Sequence, residues 1–183
     1  MKKLILAFSL FLTLVQCSKI ASESNTDFTI GAWTGADIAE TEAEWNKKLS
    51  MFSEHGLTDL FLSASPEETE RVAHYASEFD INIHAWVWTL NRPGDTTAAK
   101  HPEWYAVNRN GDNSYNYRAY VDYYQWLSPF SAGARDYIKS QMRTYAEIPG
   151  VASVHLDYVR YVDVILGADL QPKYDLVQDR QFP

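Results

Sequence analysis

The segment VASVHLDYVRY, residues 151–161, carries a histidine and an aspartate inside an apolar run and then sets an arginine between two tyrosines. Asp157, at the end of that run, is the first candidate for chemistry. A carboxylate at the mouth of a buried strand can protonate a leaving group, activate water or attack an electrophile. Cleaving an acetal bond between sugars needs two such carboxyl groups, because the transition state is positive and the leaving alkoxide is poor. His155 shares a strand face with Asp157, and Arg160 and Tyr161 stand at the mouth as hydrogen-bonding partners. Burial among apolar rings would favour the neutral acid, whereas an adjacent Arg160 would favour the charged nucleophile or stabiliser. Both roles stay open on the sequence.

A second group of candidates is aromatic. In INIHAWVWTL (81–90), Ile81, Ile83, Ala85 and Val87 fall on one face at period two, and Asn82, His84, Trp86 and Trp88 on the other. Flat rings suit the faces of sugars as well as protein cores. Trp88 is placed nearer the strand end than Trp86, and Trp33 ends the first strand in a similar way. The long connection from Asn91 to Phe130 adds Arg92, Trp104, Arg109, Arg118 and a tyrosine-rich run. Its length predicts a functional loop, the wall of a substrate cleft. His84, His155 and Asp157 also form a two-histidine, one-carboxylate set of the kind that holds zinc or iron. No HxH or HExxH spacing supports that set, and the expectation is no metal and no cofactor.

Alternating elements must position these residues. FTIGAW (28–33) predicts a strand; Trp45, Leu49 and Phe52 recur at helical spacing up to Gly56; TDLFLSA (58–64) predicts the next strand. Ser65, Pro66 and Glu68 read as N-cap, first-turn proline and capping-box partner of a helix burying Val72, Ala76 and Phe79. After the strand 81–90 and the long loop, Ser131 caps a helix with Ile138, Met142 and Tyr145 on one face, and Gly150 turns the chain into the fourth strand. The order β-α-β-α-β-α-β requires parallel strands joined by helical crossovers. One apolar and one mixed face on each strand, with polar groups at the carboxyl ends, predicts the N-terminal half of a (β/α)8 barrel of four strands and three helices. A doubly wound open sheet is the competing arrangement, although no glycine-rich phosphate loop follows the first strand.

Composition limits the partners. The chain has 183 residues, 46% of them hydrophobic, and a formal net charge of −8, which excludes nucleic acid or an anionic membrane surface as the main partner. The start, MKKLILAFSLFLTLVQC, has two lysines, an apolar run too short for a span, and the only cysteine, Cys17. It predicts a lipoprotein signal over residues 1–17, lipidation at Cys17, a polar tether over 18–27, and a barrel domain over 28–183. Membrane attachment is then through the lipid alone, on the periplasmic or cell-surface side.

Three blocks carry a family resemblance: HPEWYAVNRNG (101–111), WLSPFSAGARDYI (126–138) and VHLDYVRY (154–161). In type and order they resemble the glycosyl-hydrolase-like family 10 proteins, in which the last block reads HLDYIRYP after a glycine-containing lead. Here Val162 stands for the proline and Ala152-Ser153 for the usual Asp-Gly. The resemblance implies a barrel that acts on a polysaccharide or oligosaccharide. Two functions follow: a glycoside hydrolase, with Asp37, Asp95, Glu103, Asp163 and Asp179 as possible second carboxylates, or a glycan-binding surface lipoprotein without catalysis. Four strands without a further helix also predict an open half barrel, weakly active or inactive by itself and prone to self-association through its edges.

Overall fold

The computed structural model describes residues 29–37, 39–108, 110–117 and 121–160. Cys17, the expected tether, Arg109, Arg118, Tyr161, Asp163, Asp179 and the segment after Arg160 lie outside these residues. From Gly31 onward the elements are β1 (Gly31–Gly35), α1 (Glu42–Glu54), β2 (Asp59–Ser63), α2 (Pro66–Ala76), β3 (Asn82–Trp88), α3 (Ala132–Ala146) and β4 (Val151–Asp157). The four strands lie in the order β1-β2-β3-β4 and every pairing is parallel. This is the predicted α/β arrangement, with each helix crossing over between neighbouring strands.

The first strand differs in its bounds. It runs from Gly31 to Gly35 because all five residues find partners from Asp59 to Ser63, and pairing outweighs the low strand propensity of its two glycines. Gly31 has a packing reason as well: a Cβ there would stand 3.1 Å from the Phe61 ring.

The helices begin where side chains can accept the free backbone N–H groups. Thr41 and Glu44 cap α1 reciprocally, Ser65 accepts from Glu68 N (3.2 Å) with Pro66 in the first turn, and Ser131 accepts from Ala134 N (3.4 Å). Glu68 departs from its predicted role: its carboxylate pairs with Arg71.

The apolar faces meet in one core on the helical side of the sheet. Trp45 and Leu49 of α1, Val72 and Ala76 of α2, and Leu60 and Ile83 of the strands are 0% exposed. Phe52 and Phe79 pack against its rim, Phe79 from the turn after α2. On β3 the alternation holds: Ile81, Ile83, Ala85 and Val87 are buried, while His84, Trp86 and Trp88 are only partly so.

The long connection is no bare loop. Leu90, Tyr105, Tyr124, Trp126 and Leu127 form a second core with Ala134 of α3, tied by antiparallel bridges Asn91↔Trp126 and Tyr105↔Leu127. Ile138 packs on this second core, and Tyr145 reaches back to donate to the Ala64 carbonyl (2.8 Å).

Trp104 belongs to the same construction. Its ring stacks on His101 (3.9 Å between centroids) and on Tyr137 (5.5 Å), and its edge lies against Gly133 so closely that a Cβ there would stand 2.3 Å from Nε1. Trp104 thus packs between the long connection and α3. Gly133→Ala is expected to destabilise the fold by about 1–3 kcal/mol, because the indole is pinned and cannot give way. A urea midpoint equal to wild type would contradict that packing.

Candidate active site

The face of the sheet away from the helices is built in rows. Trp33, Phe61 and His84 are register partners across β1, β2 and β3. Their rings stack, Trp33 on Phe61 at 4.7 Å and Phe61 on His84 at 4.7 Å. His155 meets Phe61 edge-on at 5.0 Å. Trp33 is 56% exposed, so the row ends in an open indole.

Across β3 and β4 the partners are His84↔Ser153, Trp86↔His155 and Trp88↔Asp157. One irregularity sets this register: Ile83 pairs with Val151 and His84 with Ser153, so Ala152 is an extra residue in β4. Such bulges re-aim the side chains that follow them. Here Ser153, His155 and Asp157 share the face of His84, Trp86 and Trp88.

Asp157 is held from two sides. Its Oδ2 accepts the Trp86 indole N–H at 3.0 Å, and its Oδ1 accepts the backbone N–H of Tyr158 at 2.6 Å. The partners expected from the sequence were Arg160 and Tyr161, the latter outside the described residues. Arg160 instead lies over the Trp126 ring (5.1 Å to the centroid) and donates to the Tyr124 hydroxyl (3.3 Å). Tyr158 has φ +51°, a left-handed conformation that costs a bulky residue energy and ends the strand. The turn takes Tyr158 out of the alternation of the strand. Its ring packs against Trp88 (4.9 Å) and Trp126 (5.5 Å), joining the second core to the strand end. Burial, reinforced by the neighbouring Tyr123 hydroxyl, pushes the Tyr158 phenol well up, so it remains a neutral group beside the carboxylate.

Trp88 meets Tyr158 edge-on, and Tyr123, which is 47% exposed, lies 6.0 Å from it. These aromatic surfaces flank Asp157.

The other proposed carboxylates separate. Asp95 accepts the Tyr137 hydroxyl at 2.6 Å and two backbone N–H groups, from Thr97 and Ala98. Burial and then this hydrogen bond push the Tyr137 hydroxyl up to about 12, so Asp95 serves as a loop anchor. Arg92 packs over Tyr137 and donates to the Thr89 carbonyl at 3.1 Å. Glu103 is 65% exposed beside His101, and Asp37 caps a turn through Ala39 N.

The carboxylate that the sequence reading missed is Asp59, which opens β2 two residues before Phe61, on the same face. Period two in TDLFLSA contained that signal. Asp59 pairs with Asn82 while Asp157 pairs with Trp88, six residues further along, so the two lie roughly 20 Å apart along the strands at ~3.3 Å per residue. That exceeds the 5–10 Å that separates paired glycosidase carboxyls. Both nitrogens of His84 are engaged, with Asp59 and with Ser153. Among the described residues no group of three His, Cys, Asp or Glu side chains gathers as a metal site.

No family model and no curated protein matches the chain. Among solved structures it is similar to a noncanonic maltogenic alpha-amylase from Thermotoga neapolitana, with 14% identity and a TM-score of 0.57 over 82% of this chain and 43% of that one. It is also similar to a candidate alpha amylase from Salmonella typhimurium, with 10% identity and a TM-score of 0.51 over 76% of this chain and 28% of that one. The chain thus spans less than half the length of either protein, and at these identities the likeness concerns the fold: four parallel strands with three crossover helices that match part of an amylase-type (β/α)8 barrel.

Proposed function

We propose that the chain carries the carbohydrate face of a glycoside-hydrolase-type barrel, in which Asp157 is the acid-base or nucleophilic carboxylate. The observation that carries this reading is the placement of Asp157. It ends a parallel strand on the face away from the helices, held by Trp86 and Tyr158 and flanked by Trp88. Carboxyl ends of strands are where barrels of this class do their chemistry. The substrate class is a polysaccharide or oligosaccharide, in keeping with the three sequence blocks that resemble glycosyl-hydrolase-like family 10. The amylase-type neighbours agree in fold, and the starting segment agrees with export and anchoring through Cys17.

A second reading, glycan binding without cleavage, is favoured by one observation. Among the described residues the only other carboxylate on this face is Asp59, roughly 20 Å away by strand rise.

Incubating the protein with a panel of envelope and plant polysaccharides and measuring released reducing ends tests the first reading; no release on any of them removes it. Trp88→Ala tests the face itself. Loss of a stacking platform is expected to weaken oligosaccharide binding by roughly tenfold, about 1.4 kcal/mol. Tryptophan fluorescence titration measures this, and an unchanged affinity would return Trp88 to a packing role.

A further inference from the structure

Three side chains at the opposite end of the same face form an array that the glycosidase reading does not use. His84 Nε2 lies 2.7 Å from Asp59 Oδ1, and His84 Nδ1 lies 2.7 Å from Ser153 Oγ. We propose that Asp59, His84 and Ser153 form a nucleophilic acyl-transfer site that accepts small carboxylic esters.

The partners of each atom fix its role. The Thr58 hydroxyl donates to Asp59 Oδ2 at 2.6 Å and, with His84 and Asn82, holds the Asp59 carboxyl below its ordinary value against the opposing effect of burial. An ionised carboxylate only accepts, so His84 Nε2 carries the proton. Nδ1 is then left with a lone pair, and the hydrogen bond there is donated by Ser153 Oγ–H. A serine on a base that is itself oriented by a carboxylate is the arrangement that activates a hydroxyl, whatever the order of the residues in the chain.

Two further features fit. The His84 ring is fixed by its stack on Phe61, while Ser153 is exposed and follows the bulge at Ala152. Ser153 also lies on the edge strand of the described sheet, where alternate backbone N–H groups have no strand partner among the described residues.

In the reaction, Ser153 Oγ bonds to the ester carbonyl carbon as its proton passes to His84 Nδ1, and the carbonyl electron pair moves onto oxygen. Collapse breaks the bond to the alkoxide, which leaves with the proton from Nδ1. Water repeats the sequence on the acyl-serine and releases the acid. Ser153 and Asp157 are four residues apart, roughly 13 Å at strand rise, so the two sites act on different bonds.

The test uses the full 183-residue chain. A fluorophosphonate probe, followed by peptide mass spectrometry, is expected to place an adduct on Ser153. Hydrolysis of p-nitrophenyl acetate is expected to fall at least tenfold in both Ser153→Ala and Asp59→Asn. Circular dichroism melts report whether each variant is folded; should Asp59→Asn unfold, the labelling and the smaller Ser153→Ala change decide. Absence of an adduct at Ser153, or ester hydrolysis by folded Ser153→Ala at the wild-type rate, overturns the proposal. Neither readout depends on sugar cleavage, so failure here is distinct from failure of the glycosidase reading.

Discussion

Asp157→Asn is expected to lower polysaccharide cleavage at least a thousandfold while leaving glycan affinity nearly unchanged. A thousandfold loss corresponds to about 4 kcal/mol of transition-state stabilisation, the scale on which loss of a catalytic carboxylate acts. The substitution keeps the shape of the side chain and one of its two acceptor oxygens. Asparagine can accept from the Trp86 indole or from the Tyr158 N–H but not from both, so a circular dichroism melt checks that the variant stays folded. What is lost is the charge and the ability to exchange a proton. Binding by Trp88 and Trp33 uses ring faces and is expected to persist. Reducing-end release and fluorescence titration on the same preparation separate the two effects. Equal cleavage rates in the two proteins would remove Asp157 from the mechanism.

Trp45→Ala is expected to cost about 3–5 kcal/mol of stability, the range for removing a buried tryptophan. Trp45 is 0% exposed and stands in the core that α1 and α2 share with the sheet. Its indole N–H is buried there without a hydrogen-bond partner. Trp45→Phe removes that unpaired donor and leaves a smaller void, so it is expected to cost markedly less than alanine. Denaturant midpoints of the two variants measure the difference. A phenylalanine variant as unstable as alanine would show that volume alone matters at this position.

Much of the sheet was legible because burial imprints period two on a strand. Ile81 to Val87 against His84 to Trp88 could be read directly, and so could the caps at Ser65 and Ser131, whose signals are local. The site was legible only in part. Period two puts Asp157, Trp86 and Trp88 on the polar faces of their strands, but the indole N–H as the partner of Asp157 depends on β3 lying beside β4, which no local pattern encodes. The packing of Trp104 could not be read from the sequence because its partners, Gly133 and Tyr137, come from a helix distant along the chain. Arg160 was assigned to the carboxylate by proximity along the chain. The left-handed turn at Tyr158 then carries the following residues toward Trp126 and Tyr124, and tyrosine is a residue type that gives no warning of such a turn.

The extra residue in β4 has a consequence of odd-and-even kind. Upstream of Ala152, Val151 faces the helices with Ile83; downstream, Ser153, His155 and Asp157 face away from them. Were Ala152 drawn into the ladder opposite His84, every residue after it would shift by one place and the strand would exchange its two sides. Val154 and Leu156 would then point where His155 and Asp157 now point, and the carboxylate would turn toward the helices. A substitution at Ala152 changes one side chain, whereas closing the bulge around it changes the address of every one that follows. The chemistry of this face therefore depends on a bulge that supplies no functional group to it. For this strand, loss of Ala152 would only straighten the ladder, with Ser153 still following Val151 opposite His84, whereas loss of the bulge with Ala152 in place would turn Ser153, His155 and Asp157 toward the helices.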